Sequence, residues 1–320
     1  MNVKRLLIFF VAMSCASCWQ REPLAVYREI ADLEFADESI SACLVAAAAE
    51  QQIADAGHVL SLRCNNADGS QIRSLEGIHQ LPNLRDLDLA HNEISDTAAL
   101  SELRRLRLVD LSFNALSRMN PPAAPRIRYL NLEHNRIESL EWIASWPALE
   151  TLSLSHNRIQ SIDSLASLPD LVELDLSHNR IDDAAALSSL TSLRFLDLSE
   201  NFVRSTDPLA GLVNLERLLI SGNHSLNIDT LSSLKELEEL VLDNSDIRDV
   251  APLSALTKLR ELSLRDNDLR SVMPLLELGN LAHVDLTGNE QLDCGQFQRL
   301  VEVFGPDVVR PVVCPNTAEQ

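Results

Sequence analysis

An α/β solenoid, a pile of short coils sharing one parallel β-sheet, is the fold class that this sequence predicts, and three observations predict it. The pattern L-x-x-L-x-L-x-x-N-x-I/L begins at Leu84 and recurs nine more times. The spacing is 22 residues at every step except one of 21, between Leu106 and Ile127. Aromatic residues make up only 4% of the chain against a hydrophobic content of 46%, whereas globular cores usually lean on Phe, Trp and Tyr for buried area. One small leucine-rich unit repeated many times accounts for all three.

The first position of the pattern is held by Leu84, Leu106, Ile127, Leu149, Leu171, Leu193, Leu215, Leu237, Leu259 and Leu281. Within the unit LETLSLSHNRIQSIDSLASLPD, Leu152 and Leu154 alternate with polar neighbours. They should face one side of a short strand, with Thr151, Ser153 and Ser155 facing the other. Ile159, Ile162, Leu165 and Leu168 then recur every third residue, the spacing of a 3₁₀-like turn. Each unit is therefore a strand, a turn and a tight apolar return that cannot bury its apolar side except against its neighbours.

The turn carries Asn92, Asn114, Asn135, Asn157, Asn179, Asn201, Asn223, Asn267 and Asn289, with Ser245 breaking the row. A carboxamide both donates and accepts, so it can serve backbone groups of its own and adjacent repeats. These residues are read as a structural ladder.

The pattern resembles the leucine-rich-repeat family, specifically the 22-residue class of the internalins and of a regulatory subunit of protein phosphatase 1, over about residues 57 to 293. The resemblance implies a horseshoe or arc whose parallel sheet lines the concave face, with short 3₁₀-like returns on the convex side. It also implies a binding scaffold.

The N-terminus reads as an export signal. Lys4 and Arg5 precede an apolar run, Leu6 to Met13, too short to span a bilayer. The following Ser14-Cys15-Ala16-Ser17-Cys18 resembles the lipobox of bacterial lipoproteins. Cys18 is favoured for lipidation over Cys15, because it leaves four cysteines for two bonds; cleavage to a soluble secreted form is the alternative.

Capping helices are expected at both ends of the stack. Residues 37–53 carry Ile40, Cys43, Leu44, Ala47 and Ala48 at helical spacing, and Phe297, Leu300, Val301 and Phe304 form a second stripe before Gly305-Pro306. The cysteines sit on these caps, which predicts Cys43–Cys64 and Cys294–Cys314 disulfides in an exported protein. Residues 1–17 are then signal, 18–30 tether, 31–83 N-terminal cap with an irregular first repeat, 84–293 ten repeats, and 294–320 C-terminal cap.

A formal charge of −20, from 47 acidic and 27 basic residues, argues against nucleic acid and anionic membrane surfaces and allows a basic protein partner. Membrane contact is expected through the lipid anchor only, at an outer-membrane or periplasm-facing site, and the chain is expected to be a monomer. The concave strand positions include Leu108, Tyr129, Glu173, Phe195 and Arg217, with Arg194 alongside. Exposed apolar and aromatic groups beside charges are the chemistry of a protein-binding hot spot; scattered surface apolar residues are the plainer alternative.

Other features are read as structural. His91, His134, His156 and His178 share the position before the ladder Asn, and three in consecutive repeats should stack at strand spacing. A pH sensor or metal stripe is the sharper reading and a solvated turn the plainer one. The run Met119–Pro125 should bulge on the convex side, since proline cannot join the return, with Trp142 or Trp146 packed against it. Asp182, Asp183, Asp266 and Asp268 lack any EF-hand pattern, and among the four cap cysteines no C-x-x-C pair suggests zinc. No nucleophile elbow, Walker sequence, zincin motif or dinucleotide fingerprint is present. A non-enzymatic scaffold without cofactor or metal is expected, with a cell-wall glycan receptor or an architectural envelope spacer as alternatives.

Overall fold

The computed structural model describes residues 27–65, 71–120 and 126–305. Eleven strands form one parallel sheet whose order follows the chain from end to end. Each strand is three residues long and is set in register with the next, as in Thr151↔Glu173, Leu152↔Leu174 and Ser153↔Asp175. The central leucine of the strand points into the core, and Leu152 and Leu174 are at most 1% exposed. The residues on either side of it face out along the inner curve of the arc.

The period of two does not continue past the third strand residue. Ser155, expected beside Thr151 and Ser153 on the open side, is only 3% exposed. The chain leaves the strand at Ser153 and turns inward, and the Ser155 carbonyl accepts the His134 N–H of the preceding repeat at 3.0 Å.

The return follows as 3₁₀ turns, such as Asp163–Ser167, whose Leu165 is fully buried. Ile159, Ile162, Leu168 and Leu171 complete a wall of side chains no more than 1% exposed. Burying one such side chain is worth roughly 1.5–3 kcal/mol, but a lone repeat would leave one side of that wall in water. Stacking supplies the missing side, so the core runs continuously from Ile30 to Leu300.

The ladder asparagines fasten this stack. Asn157 Nδ2 donates to Leu154 O at 3.0 Å and Ser155 O at 3.1 Å in its own repeat, and to Leu132 O at 2.9 Å in the preceding one. Its Oδ1 accepts the Ile137 N–H of the preceding repeat at 2.9 Å. Asn92, Asn114, Asn135, Asn179, Asn201, Asn223, Asn267 and Asn289 each accept a corresponding N–H. At the break, Ser245 Oγ reaches only Asp243 O at 3.0 Å. The Asp246 carboxylate accepts the Ser225 N–H at 3.0 Å instead.

Helix α1, Glu38–Gln51, covers the first coil with Ile40, Leu44 and Ala48 buried. It starts one residue inside the expected span because Asp37 is its N-cap, and it ends where Gln52 adopts the left-handed conformation. The Cys43–Cys64 disulfide ties it to the first strand, Ser61–Arg63. Helix α2, Cys294–Phe304, closes the other end with Phe297 and Leu300 buried and Asp293 as N-cap. Gln296 Oε1 accepts the Val272 N–H and the Ser271 hydroxyl, both at 3.0 Å, joining α2 to the last return.

Cys294 is disulfide-bonded, while its expected partner Cys314 lies outside the described residues. So do the signal segment, Cys15 and Cys18, and residues 121–125 of the proline-rich run. Met119 is buried at 3% exposure, and Asn120 bonds back to Thr97 Oγ1 at 2.9 Å. Trp146 is fully buried and Trp142 packs edge-on to it at 5.5 Å, with its Nε1 donating to Ser139 O.

Candidate binding face

The inner face is two rows of side chains, the first and third residues of every strand. Their neighbours are set by strand register, so residues one repeat apart in sequence stand side by side. Leu108 lies next to Tyr129, and Phe195 lies between Glu173 and Arg217.

That register divides the sequence-selected residues into two groups. Tyr129 and Phe195 are three strands apart, roughly 14 Å at the usual strand spacing of ~4.8 Å. Leu108, 37% exposed, and half-buried Tyr129 form one group near the N-terminal end. Burial, with the Asp110 carboxylate close by, raises the Tyr129 phenol above its ordinary value; a hydrogen bond with Asn131 opposes them.

Phe195 anchors the second group. The Arg217 guanidinium sits 5.1 Å from its ring centroid, and Arg217 Nε donates to Glu239 Oε2 at 2.6 Å. Glu173 flanks the ring on the other side, with Thr151 Oγ1 at 3.5 Å from its Oε2. Arg194 stands just outside the strand, paired with Glu216. An aromatic ring, a cation held over it and carboxylates to either side are thus arranged before any ligand arrives.

The second row carries a function that alternation alone does not reveal. Asp110 Oδ1 accepts both the Ser112 N–H at 2.9 Å and its hydroxyl at 2.7 Å. Asp175 does the same for Ser177, and Asp197 and Asp285 accept the N–H of Ser199 and Thr287. These Asx turns end the strand and steer the chain inward. The recurring D-L-S at 110–112, 175–177 and 197–199 is the sequence signal for them. Burial raises the Asp197 pKa, and its hydrogen bonds from Ser199 oppose the rise.

Among the described residues no group of three or more His, Cys, Asp or Glu is arranged to hold a metal ion. No helix among them is long and apolar enough to cross a membrane.

Two leucine-rich-repeat family models match the sequence, one at residues 125–181 and one at residues 80–101. A search of curated proteins by sequence finds no match. Among solved structures, the internalin InlF of Listeria monocytogenes is similar with a TM-score of 0.73 and 23% identity, over 89% of this chain and 92% of that one. A leucine-rich-repeat protein of Leptospira interrogans is similar with a TM-score of 0.65 and 22% identity, over 78% and 72%. The plant peptide hormone receptor RGFR1, solved in complex with RGF2, is similar with a TM-score of 0.51 and 19% identity, over 73% and 49%. The repeat matches and the shared architecture show that the chain carries leucine-rich repeats stacked in an internalin-like fold.

Proposed function

We propose that this chain is a non-enzymatic protein-binding scaffold of the bacterial cell envelope, exported and held by a lipid on Cys18, that seats its ligand on the inner sheet. One observation carries the reading: Phe195, Arg217 and Glu239 form a preassembled aromatic–cation–carboxylate group on an open face. Aromatic and arginine anchors dominate protein-binding energetics, and fixing them in advance lowers the ordering cost of association. The fold is shared with a receptor solved with a peptide hormone, which is consistent with this use of the inner face. The first-row acids Asp86, Glu173 and Glu261 on the same face suit a basic partner bound by a monomer.

Crosslinking in intact cells, followed by identification of the captured molecule, tests the proposal. Capture of a protein by the wild type, lost in Phe195→Ala and in Tyr129→Ala with Phe195→Ala while both variants stay folded, is the expected result. Equal capture by the variants removes the inner face as the site. Binding confined to a glycan array identifies a carbohydrate receptor instead. A spacer predicts that the whole face tolerates substitution.

A further inference from the structure

A column of five aromatic rings runs along the loop edge, one ring per repeat. His91, Phe113, His134, His156 and His178 stack in that order with centroids 4.2, 4.2, 3.9 and 4.0 Å apart and planes within 18° of parallel. All five residues hold φ between 52° and 58°, the left-handed region that few side chains adopt without support. Each also donates its backbone N–H to the next repeat; His134, His156 and His178 donate to Ser155 O, Ser177 O and Ser199 O at 2.9–3.0 Å. The residues that carry the rings therefore carry the inter-repeat hydrogen bonds of this edge.

We propose that the imidazole column is an acid-sensitive clasp, which joins consecutive repeats while its rings are neutral and opens this edge when they gain protons. Neutral rings stack face to face at van der Waals distance. Protonation places like charges on rings 3.9–4.0 Å apart, where they repel.

Charged groups surround the column on every side that the neighbouring elements present. Glu133 Oε1 lies 3.4 Å from His134 Nε2. His178 and Asp197 attract one another, and Glu200 takes the next place in the column. His156 stands between two imidazoles, and only Asp175 among its near charges favours its protonation. Arg136, Arg158 and Arg180, two residues further along each repeat, add positive charge to the same edge, with Arg158 tied to Glu138 at 3.8 Å. Burial, then His178 and His134, lower the His156 pKa. A histidine whose folded value is lowered contributes stability that is complete above its unfolded pKa and is lost as pH falls toward the folded one.

Histidine-resolved NMR titration of the full chain, with amide-exchange protection factors near pH 7.5 and near pH 5, tests the clasp. His156 should titrate below the ordinary histidine value of ~6.5. Protection at the His134, His156 and His178 amides should fall about tenfold at the lower pH, while the equivalent Asp266 amide keeps its protection. His156→Asn retains a residue that tolerates left-handed backbone and removes the central charge, so it should keep that protection in acid. His156→Phe, which copies Phe113, serves if the first variant is poorly folded. Titration of His156 at or above the ordinary histidine value, or equal acid loss of protection in wild type and variant, overturns the proposal.

Discussion

The Asp37 carboxylate accepts the backbone N–H of Arg73 at 2.6 Å while its other oxygen caps helix α1 through the Ser39 N–H at 2.9 Å. With Ser74 N–H also on it at 3.2 Å, one side chain sews the N-terminal cap to the return of the first repeat. Burial alone would raise its pKa, but the N–H donors of Arg73, Ser39 and Ser74 outweigh burial and hold it below the ordinary value.

Replacing this carboxylate is therefore expected to loosen the cap as a unit. Asp37→Ala should cost about 1–2 kcal/mol in denaturant unfolding, as for other lost N-caps. The sign of the pH dependence follows from the lowered folded pKa. Its contribution is present above the unfolded aspartate value of ~3.9 and is lost as pH falls through the folded one. The alanine variant should lack that part of the acid slope, and unfolding curves measured between neutral and acid pH check it.

Asn157→Ala should destabilise by about 1–3 kcal/mol, because buried carbonyls and an N–H of two repeats lose their partner together. Asp246→Ala should cost roughly 1 kcal/mol although the side chain of Asp246 is 51% exposed. It supplies the acceptor for Ser225 N–H beside the ladder gap at Ser245. A neutral Asp246→Ala result in thermal or urea unfolding would show that water serves that N–H equally well.

Cys43→Ser with Cys64→Ser should lower stability by roughly 3 kcal/mol on the chain-entropy estimate for a loop of this size, the two cysteines being 21 residues apart. The loss should concentrate in α1, so amide exchange of the helix should rise before that of the central repeats. Reduction of the wild type should reproduce the effect.

Tyr129 offers an optical check on the inner face. Its phenol is raised first by burial and then by Asp110. A raised folded pKa means the protonated phenol stabilises the native state below the unfolded tyrosine value of ~10, a contribution lost as pH climbs through the folded value. Asp110→Asn should bring the absorbance titration of Tyr129 closer to the ordinary midpoint. An unchanged midpoint would remove the carboxylate as a cause.

Residue spacing alone determined much of this architecture. Leucines at fixed intervals can be buried only if coils stack in register, so Leu84 and its counterparts specify the strands, the 3₁₀ returns and the sheet order. Cys43, on the predicted cap helix, and Cys64, beside the first strand, specify their own disulfide for the same reason. Tertiary structure decided which side chains meet across repeats. Phe195 and Arg217 are 22 residues apart in the chain, and only the sheet register brings ring and guanidinium together. Ser155 is buried because the strand stops at Ser153, and the second-row aspartates bend their own backbone instead of facing out as simple charges. The histidine column has the same origin: strand pairing sets the rise between repeats, and left-handed backbone aims each ring along the stack, adding His91 and Phe113 to the three neighbouring imidazoles.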